Sequence, residues 1–408
     1  MQPSSSSIRP RLLLAGILLV AANLRASISA VGPVLPNISE DTTLGAAELG
    51  VLVAIPVLGF ALVSPIVSHI SQFLGADRTV QLALLILLLG IVGRSMSWFN
   101  AGLWFGTAAI GVAIAIGNVL LPVATKRDFP DRISLVTGQY IAVQSIFAAL
   151  ASGLVVPIMH ATDSWELAIG IWAVPVVLAL VTWSPRLTKS DPHGLAIPKN
   201  LLQTRMGQES KESYATKNPS IWASWPAWHV AVYFQLQSSI FYILMNWLPV
   251  VEQSSGVAPT TAGLHLSMFL AVGIVANLSA PAILKVGNDE RFATVVMPLL
   301  MTVSLLGMLA IPALQALWVA ISGVAAGGAM VVSLSLISLR AANSTAAGRL
   351  SSMVQSVAYL GVALALILSG WVQDTIASGS QLLFLPLGLA VMQVVAGVLA
   401  GQRSTPIS

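Results

Sequence analysis

The chain contains no cysteine, which excludes disulfide frameworks, thiolate metal sites and cysteine nucleophiles. Charge is almost as scarce. Only 8% of the 408 residues are Asp, Glu, Lys or Arg, against roughly a quarter in a soluble domain. No Gly-x-x-x-x-Gly-Lys-Ser/Thr loop is present to hold a nucleotide. No loop carries a nucleophile–base pair or a cluster of metal-ligand spacing, so catalysis, a cofactor and a metal site are all unexpected. What is abundant is apolar surface, at 56% of residues, accompanied by 32 glycines and 22 prolines. A soluble core cannot absorb that much, and Gly and Pro are tolerated in membrane helices. The composition therefore predicts a membrane-embedded, all-α chain.

A bilayer core needs about 20 apolar residues per helix. Candidate spans lie at 12–35, 48–70, 79–98, 102–124, 134–157 and 165–184. After a polar stretch they resume at 228–250, 260–284, 292–312, 316–339, 350–372 and 381–401. The expected organisation is a six-helix bundle over 1–184, a cytoplasmic linker over 185–226 and a second six-helix bundle over 227–408. The linker holds Pro185, Pro192, Gly194, Pro198, Gly207 and Pro219 among polar residues, a flexible hydrophilic composition. Charge placement agrees with twelve spans. With both termini inside, 17 of the 19 Lys and Arg fall in inner segments and none in an outer loop, as the positive-inside rule requires. The net charge of +4 is thus topological, and no nucleic-acid partner is expected. Arg9, Arg11 and the run Ala26–Ala30 superficially imitate a signal peptide, but the apolar stretch continues past that point with Arg25 inside it.

The halves share punctuation at a constant offset of 213 residues: Leu35-Pro36 with Leu248-Pro249, Gly50 with Gly263, and Arg127 with Arg340. Together with the six–linker–six layout, this indicates a duplicated six-helix unit. Carriers built from such repeats bind solute at the repeat interface near the midplane and alternate access by rocking one half against the other.

The layout resembles the major facilitator superfamily. Ala22-Asn-Leu-Arg25 followed by Val31-Gly-Pro-Val-Leu-Pro36 is similar to the first-helix signature of its cyanate/nitroimidazole transporter branch. So are Gly117-Asn-Val-Leu-Leu-Pro122, Lys126-Arg-Asp-Phe-Pro-Asp-Arg132 and Thr137-Gly138. The resemblance implies a multi-pass protein of a bacterial inner membrane, usually monomeric, with the lipid bilayer and a small anion or small nitrogen-containing solute as its partners. One departure stands out. The superfamily's Gly-x-x-x-Asp-Arg-x-Gly loop after the second helix has Ser68, Gln72, Phe73 and Gly75 at its key positions. Asp77-Arg78 lies downstream, and the usual gating role is not assigned to it.

Two basic residues fall within spans. Arg94 is near the outer end of the third, within snorkelling reach of the interface, and reads as structural. Arg25 is close to the centre of the first, where an arginine costs about 2.5–3.5 kcal/mol to insert. All 15 Asp and Glu lie in loops or at span ends, so no midplane carboxylate offsets it. A guanidinium facing a cavity without a carboxylate is a good receptor for an anion. The alternative is that Arg25 bonds carbonyls and amides and ties helices together. Ser29, one turn on, shares its face. Asn23 points almost oppositely and reads as an interhelical hydrogen bond.

Other polar stripes complete the expected site. Gln235, Ser239, Tyr242 and Asn246 recur on one face of the seventh span, Gln355 and Tyr359 lie on the eleventh, and Gln144 on the fifth. At the inner mouth, Arg127, Asp128, Asp131, Arg132 and the repeat-related Arg340 are candidate gating residues, with an ordinary solvated loop as the alternative. No midplane Asp, Glu or His supplies a proton relay, and His265, in the outer part of the eighth span, is the one histidine worth testing. The expected function is facilitated or secondary active transport of a small anionic or nitrogen-containing, cyanate-like solute. The alternatives are efflux of a neutral or cationic compound and, in another class, a non-transporting receptor or scaffold.

Overall fold

The computed structural model describes residues 10–96, 100–187, 221–283, 290–342, 344–375 and 379–402. Most of the expected linker, 188–220, lies outside the described residues. What is described is built from helices. The first half runs α1 (Pro10–Ser29), α2 (Leu35–Thr42), α3 (Ala46–Leu74), α4 (Ala76–Arg94), α5 (Asn100–Asp128), α6 (Ile133–Thr162), α7 (Trp165–Gly170) and α8 (Ala173–Trp183). The second runs α9 (Trp225–Ser254), α10 (Pro259–Ile283), α11 (Arg291–Ala310), α12 (Gln315–Arg340), α13 (Ser344–Thr375) and α14 (Phe384–Ala400).

Two expected spans are interrupted. The first breaks where Gly32 and Pro33 tighten the chain into a 3-10 turn, Gly32–Val34, before α2. The sixth breaks between α7 and α8, with Gly170 before the break and Pro175 in the first turn after it, where a missing N–H costs nothing. Among the described residues, eleven stretches are long and apolar enough to cross a bilayer. The twelfth crossing is α9, which at 30 residues has the length but carries the polar stripe.

The seam between the halves is made by two helix pairs, α3 against α13 and α6 against α10. We call the helix ends that carry the basic clusters the inner ends. In the outer half of the seam the backbones touch. A Cβ on Gly50 would stand 2.8 Å from the Leu366 carbonyl oxygen and 2.8 Å from Gly370 Cα. A Cβ on Gly263, the repeat-related position, would stand 2.9 Å from the Ser152 oxygen. Only a residue without a side chain permits either approach, a device for close helix contact in lipid. Cross-seam hydrogen bonds fall at the same level. Asp374, near the end of α13, accepts from the Ala46 and Ala47 amides at 2.6 and 2.8 Å, capping α3 from the other half. Gln253 donates to the Pro33 carbonyl, and Ser267 to that of Ala149. The outer side of the seam is closed.

A larger residue at position 50 should therefore wedge that closure. The cysteine-free chain makes this measurable. We expect a cysteine placed at the buried Val53 to react with a membrane-impermeant thiol reagent at least tenfold faster when Gly50→Leu is also present. Equal rates would mean that the glycine contact does not control outer access.

Candidate functional site

Arg25, on α1, projects half-buried toward the second half of the molecule, its guanidinium 5.8 Å from the centre of the Phe241 ring on α9, within cation–π range. Tyr242 and Tyr359 also lie within its electrostatic reach. An aromatic wall continues around it. Phe241 meets Tyr242 edge-on at 5.4 Å and Phe269 at 5.7 Å, while Tyr359 meets Phe60 edge-on at 5.6 Å. Helices α3, α9, α10 and α13 therefore bring rings from both halves to one cation. Among the described residues Arg25 has neither a carboxylate nor a hydrogen-bonding partner for its guanidinium.

The other stripe residues divide. Gln235 donates to Ser239 at 3.0 Å and packs over Gly361 of α13. Asn246, 1% exposed, donates to the Tyr242 carbonyl at 2.8 Å. Gln355 donates to Ser351, and Gln144 is buried on α6. Ser29 is buried at the seam, its hydroxyl bonded to the Arg25 carbonyl and 3.9 Å from Met245 Sδ. Asn23 ties α1 to α8 through the Pro175 carbonyl at 3.2 Å, the interhelical role its position on α1 implies.

The inner ends of the first half hold a cluster that the loop motif did not announce. Asp77 accepts two hydrogen bonds from Arg127, at 2.7 and 2.9 Å. Arg127 Nε also reaches Asp128 at 2.7 Å, and Asp128 pairs with Arg186. Arg186 lies 3.8 Å from Asp77, stacks 3.9 Å over Trp183 and donates to the Leu13 carbonyl at 2.8 Å. Two carboxylates and two guanidiniums thus close a neutral ring joining α1, α4, α5 and the end of α8. Although counted with the linker by sequence, Arg186 is 3% exposed. The second half repeats the motif in reduced form. Glu290 and Arg340 lie 213 residues after Asp77 and Arg127 and pair at 2.8 Å, Arg340 also bonding the Ala400 carbonyl. Each of these pairs lies within its own half. Asp131 and Arg132 are exposed and join no ion pair among the described residues.

Two outer features differ from their linear appearance. Glu252, apparently a loop-edge residue, is 1% exposed and receives Gln315 at 3.0 Å and His265 Nδ1 at 3.0 and 3.1 Å. Burial of that carboxylate is tolerable because both oxygens are bonded. Arg94 does not snorkel. It is 3% exposed and turns inward to donate to the Ser27 carbonyl at 2.8 Å. Ser27 faces away from lipid, which is why the arginine follows it.

Two helical bundles with an apposed, repeat-related seam and a cation between them are the architecture of a transmembrane solute carrier. The chain belongs to the major facilitator superfamily, whose family model matches residues 17–366. It is 34% identical to the uncharacterized transporter YycB of Bacillus subtilis (strain 168), covering 98% of this chain and 96% of that one. Identity to the 2-nitroimidazole transporter of Escherichia coli (strain K12) is 33%, covering 96% and 95%. The cyanate transport protein CynX of the same organism is 24% identical, covering 87% and 88%. These relatives fix the branch as well as the superfamily. Among solved structures, a D-xylose-proton symporter superposes with a TM-score of 0.71 at 14% identity, over 98% of this chain and 97% of that one, a likeness of fold.

The ring at the inner end predicts an order of stabilities. Asp77→Asn leaves Arg127 without its twofold acceptor and should lower stability by about 2 kcal/mol, below the roughly 3–5 kcal/mol for breaking a fully buried pair, because Arg127 is partly exposed. Glu290→Gln should cost less, since Arg340 keeps its carbonyl. Asp131→Asn and Arg132→Gln should stay within about 0.5 kcal/mol of wild type. Thermal unfolding of the detergent-purified variants reads this order directly.

Proposed function

We propose that the chain carries a small anionic or small nitrogen-containing, cyanate-like solute across a bacterial inner membrane by alternating access, with Arg25 receiving the solute's charge. The observation that carries this reading is the Arg25 guanidinium, half-buried between the two halves with no carboxylate beside it among the described residues. A permanent cation so placed is electrostatically costly until an acceptor meets it, and its planar fork matches paired oxygens or a linear anion. The Tyr242 and Tyr359 hydroxyls can add donors. Gln144, Gln235, Ser239, Asn246 and Gln355 supply polar surface nearby on the chamber helices, while Ser29 supports Arg25 through its backbone. The names of the nitroimidazole and cyanate relatives agree with a solute of this class.

In this reading the halves 1–184 and 227–408 move as bodies joined by 185–226, with both termini cytoplasmic and one chain sufficing. Arg127, Asp128 and Arg340 act by holding each body rigid at its inner end, because their pairs do not cross the seam. A second solute class has one specific support. The aromatic wall of Phe60, Phe241, Tyr242, Phe269 and Tyr359 suits stacking by a neutral planar ring, as an exporter of such compounds would use.

Flux into proteoliposomes separates the two. With Arg25→Gln, uptake of cyanate and other small anions should fall at least tenfold, while Arg25→Lys retains part of it. Flux of every anion unchanged by Arg25→Gln would defeat the receptor role. Loss of neutral-ring transport on Phe241→Ala, with anion flux intact, would favour the second class.

A further inference from the structure

Arg94 stands at the outer end of α4, and its surroundings do not match those of a structural arginine. A guanidinium offers five N–H donors. Nη1 is used on the Ser27 carbonyl, whereas Nε and Nη2 are buried with no partner among the described residues. The Ser27 hydroxyl, beside that carbonyl, is buried without a partner as well. Of the carboxylates on the outer side, Glu40 and Asp163 are exposed, Glu166 accepts from Ser164, and four more are committed elsewhere. Asp41 accepts from Trp165, Glu48 from the Gly45 amide, Asp374 from the α3 amides and Glu252 from His265 and Gln315.

Arg94 also lines a cavity, together with Ile28, Pro56, Leu103, Thr107 and Asn246. The walls come from α1, α3, α4 and α5 and, through Asn246, from α9 across the seam. Space for the centre of a water-sized sphere amounts to 20 Å³, where a single water needs roughly 10–15 Å³ on the same measure. The cavity is therefore of single-ion size, and its one charge is positive. It lies apart from the Arg25 guanidinium: residues 25 and 27 of one helix diverge by about 200°, so the Ser27 hydroxyl and the Arg25 guanidinium leave α1 on opposite sides.

We propose that Arg94, the Ser27 hydroxyl and this cavity form a second anion-binding site, enclosed within the outer seal and taking one small monovalent anion of halide to nitrate size. Nε and Nη2 donate to the anion, and the serine hydroxyl adds a third donor. Asn246, which bonds the Tyr242 carbonyl on the chamber side, closes the cavity from the opposite half, so occupancy of the site is sensitive to whether the seal is shut. The occupant is either a resident inorganic anion or the transported solute on its way through the outer seal. The site stands whether or not Arg25 receives that solute.

The test uses the purified full chain in gluconate buffer with bromide, nitrate or cyanate added. At an anion concentration about a hundredfold above Kd, the wild-type thermal midpoint should rise by roughly 2–4 °C. In the Arg25→Gln background, where the other proposed anion receptor is removed, the rise should persist, and adding Arg94→Gln to that background should abolish it. Ser27→Ala removes the hydroxyl but keeps the carbonyl that holds Arg94, and should weaken anion affinity about tenfold. It carries the test alone should Arg94→Gln not fold. The site is overturned if no anion moves the wild-type midpoint, or if both variants keep wild-type affinity. Flux distinguishes the occupants: a raised KM for uptake in Ser27→Ala, with bromide competing, identifies the transported solute, whereas an unchanged KM with altered bromide affinity identifies a resident ion.

Discussion

Burying a charge in a medium of low dielectric is expensive unless each donor and acceptor finds a partner, and the helices of this chain are tied together where that requirement is met. At the inner end of the first half, four side chains from α4, α5 and the end of α8 form a neutral ring. The second half answers with Glu290 and Arg340. On the outer side, Glu252 draws α9, α10 and the start of α12 together through His265 and Gln315. Set against so many satisfied groups, Arg25 and Arg94 stand out among the described residues as cations in the helical interior with no carboxylate partner. The proposed division of structure and function follows that line: paired charges hold helices, and the cations without a carboxylate are those proposed to meet an anion.

Much of the fold was legible because hydropathy and positive charge are properties of short segments. The spans, the bias of Lys and Arg to one side and the duplication at 213 residues can be read without knowing any contact. Arg25 was equally readable, since a midspan arginine with no acidic counterpart is conspicuous in a chain so poor in charge. Contacts made across the sequence were less visible. Glu252 looked like a loop-edge residue until Gln315, far along the chain, was seen to bury it. Arg94 looked like a snorkelling side chain because the Ser27 carbonyl that turns it inward leaves no mark in the local sequence. Asp77 was passed over because the familiar loop pattern was absent. Yet the spacing that related Arg127 to Arg340 also relates Asp77 to Glu290, and reading acidic residues by the same offset would have found both pairs. Asp131 and Arg132 shared a segment with the ring but project to solvent, a distinction of side-chain direction beyond composition.

The duplication has a mechanical side. Gly50 and Gly263 occupy related positions, one on each side of the seam, and each removes the side chain that would hold two backbones apart. A carrier that rocks about a pseudo-twofold axis needs both outer contacts to form together, and related glycines are a simple way to match their clearances. The ionic pairs described at the inner ends, by contrast, lie within one half each, so rocking need not break them. Rigid bodies and a compliant join are therefore assigned to different chemistry: charge inside each body, bare backbone between them.

The carboxylate of Asp374 caps the first turn of α3 from the opposite body. When the outer seam parts, two amides and a carboxylate lose each other and are taken up by solvent, and the glycine backbones are wetted at the same time. Outward opening is thus coupled to uptake of water by a surface that was dry. The balance between the two states then responds to the activity of water itself, and an osmolyte too large to enter the cleft would act as an allosteric ligand of the closed form without touching the protein.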